Sequence, residues 1–182
     1  EIRGSNGIDD VTGTQDDDVI NAGNGNDIID GGLGDDTING GNNDDVINGG
    51  IGNDILRGGT TGTDILNGDS GNDIFEVSGT EGRDDTFNGG TDYDIVRNIS
   101  TGAITFNSGT NFIDVEEIDG NSQEVRVDAG TTIDFSSIAT STNVTLIRGQ
   151  NGSSENITGT QDDDIINGRN GDDVLNGGLG ND

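Results

Sequence analysis

Aspartate is the residue of this chain whose spacing could do chemistry. Asp9, Asp18, Asp27, Asp36, Asp45 and Asp54 recur every nine residues, and an aliphatic residue stands two places after each: Val11, Ile20, Ile29, Ile38, Ile47 and Leu56. The series slips by one residue to Asp64 with Leu66 and recovers at Asp73 with Phe75. It then absorbs a three-residue insertion near Val77–Gly79, passes Asp85 with Phe87 and Asp94 with Val96, and returns at Asp164, Asp173 and Asp182. Carboxylates in number can ligate a cation or act in pairs as general acid and base. The chain has no histidine and no cysteine, and its seven basic residues are all arginine. Most nucleophile and base schemes are therefore out of reach, and the acids point to cation binding rather than catalysis.

Something must hold these acids in place. Read from Gly4, the chain divides into GSNGIDDVT, GTQDDDVIN, AGNGNDIID, GGLGDDTIN, GGNNDDVIN and GGIGNDILR, and a second block reads GTQDDDIIN, GRNGDDVLN, GGLGND. Each unit reads as six residues of turn followed by three of strand, the strand carrying β-branched side chains. The fourth position is glycine at Gly7, Gly25, Gly34, Gly52, Gly71, Gly171 and Gly180, and Asp16, Asn43, Asp92 or Asp162 in four other units. These are the residues that best tolerate positive φ, so the pattern predicts a left-handed backbone there. Arg83 departs from it, and its turn is expected to be distorted. A three-residue strand cannot stand alone. Stacked on copies of itself at about 4.8 Å, it forms an aliphatic ladder at position eight and a carboxylate ladder at position six.

Stacked carboxylates repel. One pair about 4 Å apart costs about 1 kcal/mol in water and several-fold more where water is partly excluded. One small aliphatic residue per unit does not offset that along a whole ladder, so either the ladder never forms or a cation sits within it. Carboxylates and turn carbonyls offer oxygen only, which suits a hard ion with six to eight ligands at roughly 2.3–2.6 Å. Calcium fits. Magnesium demands stricter geometry, and zinc prefers nitrogen and sulfur.

Composition agrees once its detail is read. Of 182 residues, 26% are hydrophobic and 3% aromatic, with a net charge of -29, figures that taken alone describe an acidic disordered tail. Yet 29 of the 36 acids are aspartate, and proline is absent. Aspartate, asparagine and glycine build tight turns. Without cysteine there is no disulfide, so a metal is the expected cross-link for so thin a core. The charge excludes nucleic acid as a partner and attracts cations. No apolar run reaches membrane-spanning length, so no membrane insertion is expected, and no signal peptide is visible. A start at Glu1 and an end inside a motif make a fragment of a longer chain the expectation.

The units match the nonapeptide G-G-x-G-x-D-x-U-x at every defined position in GGLGDDTIN and GGIGNDILR. They resemble the RTX (repeats-in-toxin) calcium-binding family, with the resemblance covering residues 4–97 and 149–182. It implies an all-β, right-handed parallel β-roll, a β-solenoid in which two repeats make one coil. Calcium would lie between turns on the same side. Asp9 would share a site with Asp27, Asp18 with Asp36, Asp27 with Asp45 and Asp36 with Asp54. Asp164 and Asp182 form the one complete pair of the second block. Loop carbonyls of Gly23, Gly25, Gly32, Gly34, Gly41, Asn43, Gly50 and Gly52 would add ligands. It further implies export by bacterial type I secretion machinery and folding outside the cell, where calcium is plentiful. If calcium binds only the folded state, binding drives folding, with affinity on the order of 10⁻⁴–10⁻³ M.

The expected organisation is a first roll block over 1–97, a solenoid segment with longer coils over 98–148, and a second block over 149–182. In the middle segment AITF, NFIDVEEI, EVRVD, TTIDF and NVTLI read as strands, with Val125 and Val127 facing inward. Asp114, Glu116, Glu117 and Asp119 are the acids that the repeat does not explain. A solvated strand edge accounts for them better than a glycosidic pair. The apolar seventh residues Val19, Ile28, Val46, Ile55, Ile65 and Ile74 reflect strand propensity, or a surface for other domains of the parent chain. The leading expectation is a non-catalytic calcium-binding structural module of a secreted, extracellular or surface-attached bacterial protein such as an adhesin. The alternative is a module that binds or positions an extracellular polysaccharide for a secreted epimerase, lyase or hydrolase.

Overall fold

A computed structural model describes residues 1–182 as an all-β chain without helix. The strands of the first block are β1 (Ile2–Arg3), β2 (Asp10–Thr12), β3 (Val19–Asn24), β4 (Ile28–Leu33), β5 (Thr37–Asn42) and β6 (Val46–Ile51). Next come β7 (Ile55–Thr61), β8 (Ile65–Ser70), β9 (Ile74–Val77), β10 (Thr86–Thr91) and β11 (Ile95–Asn98). The middle segment holds β12 (Ile104–Phe106), β13 (Asn111–Ile113), β14 (Glu117–Val127), β15 (Thr132–Asp134) and β16 (Thr140–Arg148). β17 (Asn156–Thr158), β18 (Ile166–Asn167) and β19 (Val174–Asn176) close the chain.

Odd-numbered strands β1-β3-β5-β7-β9-β11 form one sheet in that order and continue into β14-β16-β18; β2-β4-β6-β8-β10-β13 form the second. A third, smaller sheet is β15-β17-β19. Every pair is parallel, and through β11 each strand meets the one two places on, as in β3 on β5 with Ile20 opposite Ile38, whereas β10 meets β13 and β11 meets β14. Two units therefore make one coil, and the coils stack into a β-solenoid consistent with a parallel β-roll.

The strands are longer than the three residues expected. β3 to β6 each have six, because the ladder runs on through the glycine pair, with Gly23 opposite Gly41 and Asn24 opposite Asn42. The second glycine of the pair takes positive φ (Gly41, 121°), which turns the chain without leaving the ladder. The corner after β9 is distorted as expected: residues 79–84 form tight turns closed by Glu81 N–H to Ser78 O and Arg83 N–H to Thr80 O.

The core is the eighth-position ladder. Val11, Ile20, Ile29, Ile38, Ile47, Leu56, Leu66, Phe75, Phe87 and Val96 are all buried. Each fully buried aliphatic side chain stabilises by roughly 1.5–3 kcal/mol. Seventh-position residues point outward: Val19, Ile28 and Ile65 are exposed, and Val46, Ile55 and Ile74 are half-buried. Coils widen along the chain, from 18 residues between Asp36 and Asp54 to 21 between Asp73 and Asp94. All five phenylalanines fill the widened part, Phe106 against Phe112 at 5.2 Å and Phe112 against Phe135 at 5.6 Å between ring centroids. Val125 and Val127 face inward as expected. NFIDVEEI is two strands rather than one: it bends at Asp114–Glu116, so that Phe112 joins the second sheet and Ile118 the first.

Candidate metal sites along the aspartate ladders

In the first block each sixth-position aspartate stands just before a strand, where the turn re-enters the sheet. Its Oδ1 accepts the main-chain N–H of the aspartate one coil earlier. On one side Asp9, Asp27, Asp45 and Asp64 donate in turn to Asp27, Asp45, Asp64 and Asp85 at 2.8–2.9 Å. On the other Asp18, Asp36, Asp54 and Asp73 donate to Asp36, Asp54, Asp73 and Asp94 at 2.7–2.8 Å. In the second block Asp164 donates to Asp182 at 3.1 Å. Every pair expected from the sequence is brought together, and the pairs beyond Leu56 join the same two ladders despite the slipped spacing.

The second carboxylate oxygen behaves differently. Asp27, Asp36, Asp45, Asp54, Asp73 and Asp94 are at most 1% exposed, and the Oδ2 of each accepts no hydrogen bond. An unpaired buried carboxylate oxygen is costly. Except for Asp27, whose unit opens on Ala22, each lies against the first glycine of its own unit: a Cβ on Gly31 would collide with both Asp36 Oδ2 and the carbonyl oxygen of Gly49 one coil on. Gly40 stands likewise between Asp45 Oδ2 and Gly58 O, and Gly68 between Asp73 Oδ2 and Gly89 O. At these glycines a carboxylate oxygen and a carbonyl oxygen thus share a small space that an added Cβ would fill.

Burial, resisted by the N–H bond and reinforced by neighbouring carboxylates, raises the ladder acids from Asp36 to Asp94 above the usual 3.8. Asp45 and Asp73 are pushed up to about 7, and Asp54 and Asp94 to about 6. Asp64 rises to about 6 and Asp85 to about 8, with Asp36 raised as well. Among protein atoms alone, the ladder disfavours its own charge.

Three units escape this. Ser5 donates its N–H to Asp9 Oδ2 at 2.6 Å and its hydroxyl at 3.0 Å. Thr14 does so to Asp18 at 2.7 and 2.8 Å, and Thr160 to Asp164 at 2.6 and 2.9 Å. These units carry serine or threonine at position two, and they open the two blocks. Their fourth residues correct the φ expectation. Gly25, Gly34, Gly52, Gly71, Gly171, Gly180, Asn43 and Asp92 have positive φ, but Gly7, Asp16 and Asp162 do not. The reason is local: in these three units the hydroxyl takes the fourth N–H, at 3.2 Å each. In Gly25 and Gly34 that N–H reaches the next coil instead.

No three side-chain acids converge on one point, so a cation held here must draw heavily on main-chain oxygen. The carbonyls of Gly25, Gly34, Asn43 and Gly52 accept no backbone hydrogen bond. Those of Gly23, Gly32 and Gly41 lie within the ladder, against the second glycine one coil on; Gly50 occupies the same place in its strand β6. First-position carbonyls such as Gly49 O and Gly58 O are the ones found beside the unpaired Oδ2 atoms, and side-chain spacing gave no sign of them. This all-oxygen donor set, mixed carboxylate and carbonyl, fits calcium.

Two ladder members were also missed. Glu116 Oε2 accepts the N–H of Asp94 at 2.8 Å, so it continues the ladder outside the repeat. Glu155 donates its N–H to Asp173 Oδ1 at 3.0 Å, adding a second pair to the second block. Burial works against the charge on Glu155, but nearby donors, the N–H groups of Gly130 and Gln150 among them, outweigh it and hold its pKa below the usual value. The signal available was position: both residues immediately precede a strand, as the aspartates do. Glu117 instead accepts the Tyr93 hydroxyl at 3.0 Å, Asp119 pairs with Arg97 at 3.5 Å, and Asp114 turns the corner with φ of 48°.

Parallel coils of two units, with a buried carboxylate at each turn, define a cation-binding repeat roll. The RTX calcium-binding nonapeptide repeat matches residues 3–38, 30–60 and 150–182, together half of the chain. The chain belongs to this family of calcium-binding repeats. No curated protein and no solved structure matches it.

Proposed function

We propose that this chain is a non-catalytic structural module whose coils close only when calcium enters the aspartate ladders. One observation carries the reading: six fully buried carboxylate oxygens have no donor, while the three units that open the blocks supply one from serine or threonine. Calcium would be held by Asp27, Asp36, Asp45, Asp54, Asp64, Asp73, Asp85 and Asp94 with turn carbonyls, and in the second block by Asp173 and Asp182. Asp9, Asp18 and Asp164 sit at the block ends, where a hydroxyl already serves Oδ2. Bound calcium would supply positive charge and replace the missing donors; the protein supplies fixed oxygens and glycine-lined space.

Folding free energy is then largely binding free energy, and a site of 10⁻⁴–10⁻³ M or so works as a compartment switch. This supports a chain that leaves a bacterium unfolded through the type I machinery and winds outside, as a rigid spacer or display element of a secreted or surface-attached protein. Residues 98–148 would bridge the two calcium blocks. Circular dichroism across a calcium titration, with magnesium as control, tests the reading. Sheet signal should appear with calcium, vanish with chelator and fail to appear with magnesium. Unchanged signal in chelator overturns it.

A further inference from the structure

Asp94 faces a turn that the nonapeptide does not supply. Strand register sets Ile113 opposite Asn88 and Glu117 opposite Ile95. Residues 114–116 therefore do in three residues what 89–94 do in six. A turn of half the length cannot present the same carbonyls. It presents three other things. The Asp114 carbonyl oxygen lies with Asp94 Oδ2 in the space beside Gly89, where a Cβ would strike both. Asp114 holds a positive φ of 48° that turns the chain at this corner. Glu116, one methylene longer than aspartate, reaches back across the short turn and takes the Asp94 N–H on Oε2. Asp94 Oδ2 itself is fully buried and accepts no hydrogen bond.

We propose that Asp94, the Asp114 carbonyl and Glu116 form a further calcium site, closed by residues outside the repeat, which fastens the middle segment to the first block. It rests on the calcium reading above. The physical sense is substitution: a glutamate oxygen replaces carbonyls lost with half of the turn. The ion would join β11 to β14 at the coil where the family pattern stops. Tyr93 braces the same corner, its hydroxyl bonded to Glu117 Oε2 at 3.0 Å and to Thr140 Oγ1 at 3.1 Å.

Tyr93 is also the only tyrosine, in a chain without tryptophan, so terbium(III) bound beside it gives tyrosine-sensitised emission that reports on this corner. In the full 182-residue chain, wild type should show emission that excess calcium displaces. Glu116→Gln keeps an acceptor for the Asp94 N–H but loses the charge, and should bind terbium here about ten-fold more weakly and lose one calcium in equilibrium dialysis. Glu116→Asp keeps the charge without the reach and should lose the same emission. Tyr93→Phe should abolish emission and leave the calcium count unchanged. If both Glu116 variants keep full emission and the full count while calcium still drives folding, this site is overturned and the module reading stands. If wild type neither folds with calcium nor binds terbium, both fall.

Discussion

Thr14 closes the turn of Asp18 twice over: its N–H and its hydroxyl both end on Asp18 Oδ2, at 2.7 and 2.8 Å. Asp36, one coil on in the same ladder, has glycine where Thr14 stands and an Oδ2 that accepts nothing. The first unit carries its own donor; the second has none among the protein's own groups, and under the calcium proposal a cation takes that place. Thr14→Val removes the hydroxyl and keeps the shape. It should cost about 1 kcal/mol in calcium-saturated denaturant unfolding, with the number of bound calcium ions unchanged in titration calorimetry. A lost ion would show that Thr14 supports a metal site instead.

Asp54 sits mid-ladder, accepting the N–H of Asp36 and donating its own to Asp73. Asp54→Ala removes a carboxylate that faces the calcium sites and strands the Asp36 N–H. The calcium concentration needed for half-maximal folding should rise about ten-fold or more, and the transition should broaden, because neighbouring coils support one another. Asp54→Asn keeps the acceptor and should do less harm. Equal midpoints for wild type and both variants, read by circular dichroism, would remove Asp54 from the sites.

Acid should act on the metal-free chain in the same direction as calcium, because protons also relieve the charge of the ladder. Folded Asp45 and Asp73 hold protons to about 7, against 3.8 for the ordinary group. Between those values the folded state binds more protons than the unfolded state, so stability falls as pH rises. In chelator, the contribution of these acids to sheet content should be complete below about pH 4 and lost as pH passes through about 6–8. Calcium added at pH 6 should release protons into weak buffer. No proton release would refute the raised values.

Gly31 should be as unforgiving as any core residue. A Cβ there meets Asp36 Oδ2, the Gly49 carbonyl and the Ile38 side chain. Gly31→Ala should therefore lower stability in calcium by about 2 kcal/mol or more and weaken calcium binding. Gly102→Ala, with nothing within 4 Å of the added carbon, serves as the neutral control. Thermal unfolding of the two variants separates the cases, and equal midpoints would show that the space beside Gly31 is not needed.

Much of this was legible in sequence because both periods are side-chain periods. Position eight had to be buried and position six had to stack, and Ile38 and Asp36 do so. What escaped notice lies in the backbone or beyond the repeat. The carbonyls of Gly49 and Gly58 carry no side-chain signature. Glu116 was read as a solvated edge because its turn is too short to keep the nine-residue count, although its neighbour Glu117 falls in register with Ile95. Gly7, Asp16 and Asp162 fit the left-handed pattern by type, but the hydroxyl two residues earlier in each unit gave the N–H another partner.

The widening of the coils around the five phenylalanines has a kinetic meaning. Past Glu116 the ladder position falls to Ala139 and past Asp85 to Thr110, so the stretch that holds Phe106, Phe112 and Phe135, beyond Asp73 and Asp94, brings together bulky oil-like rings and no unpaired carboxylate oxygen. It is the one place where winding can begin before any ion arrives, a spool on which both blocks are then reeled. Amides of β14 should accordingly resist hydrogen exchange longest as calcium is withdrawn, with protection eroding first among Asp27–Asp54; the reverse order would place the seed elsewhere.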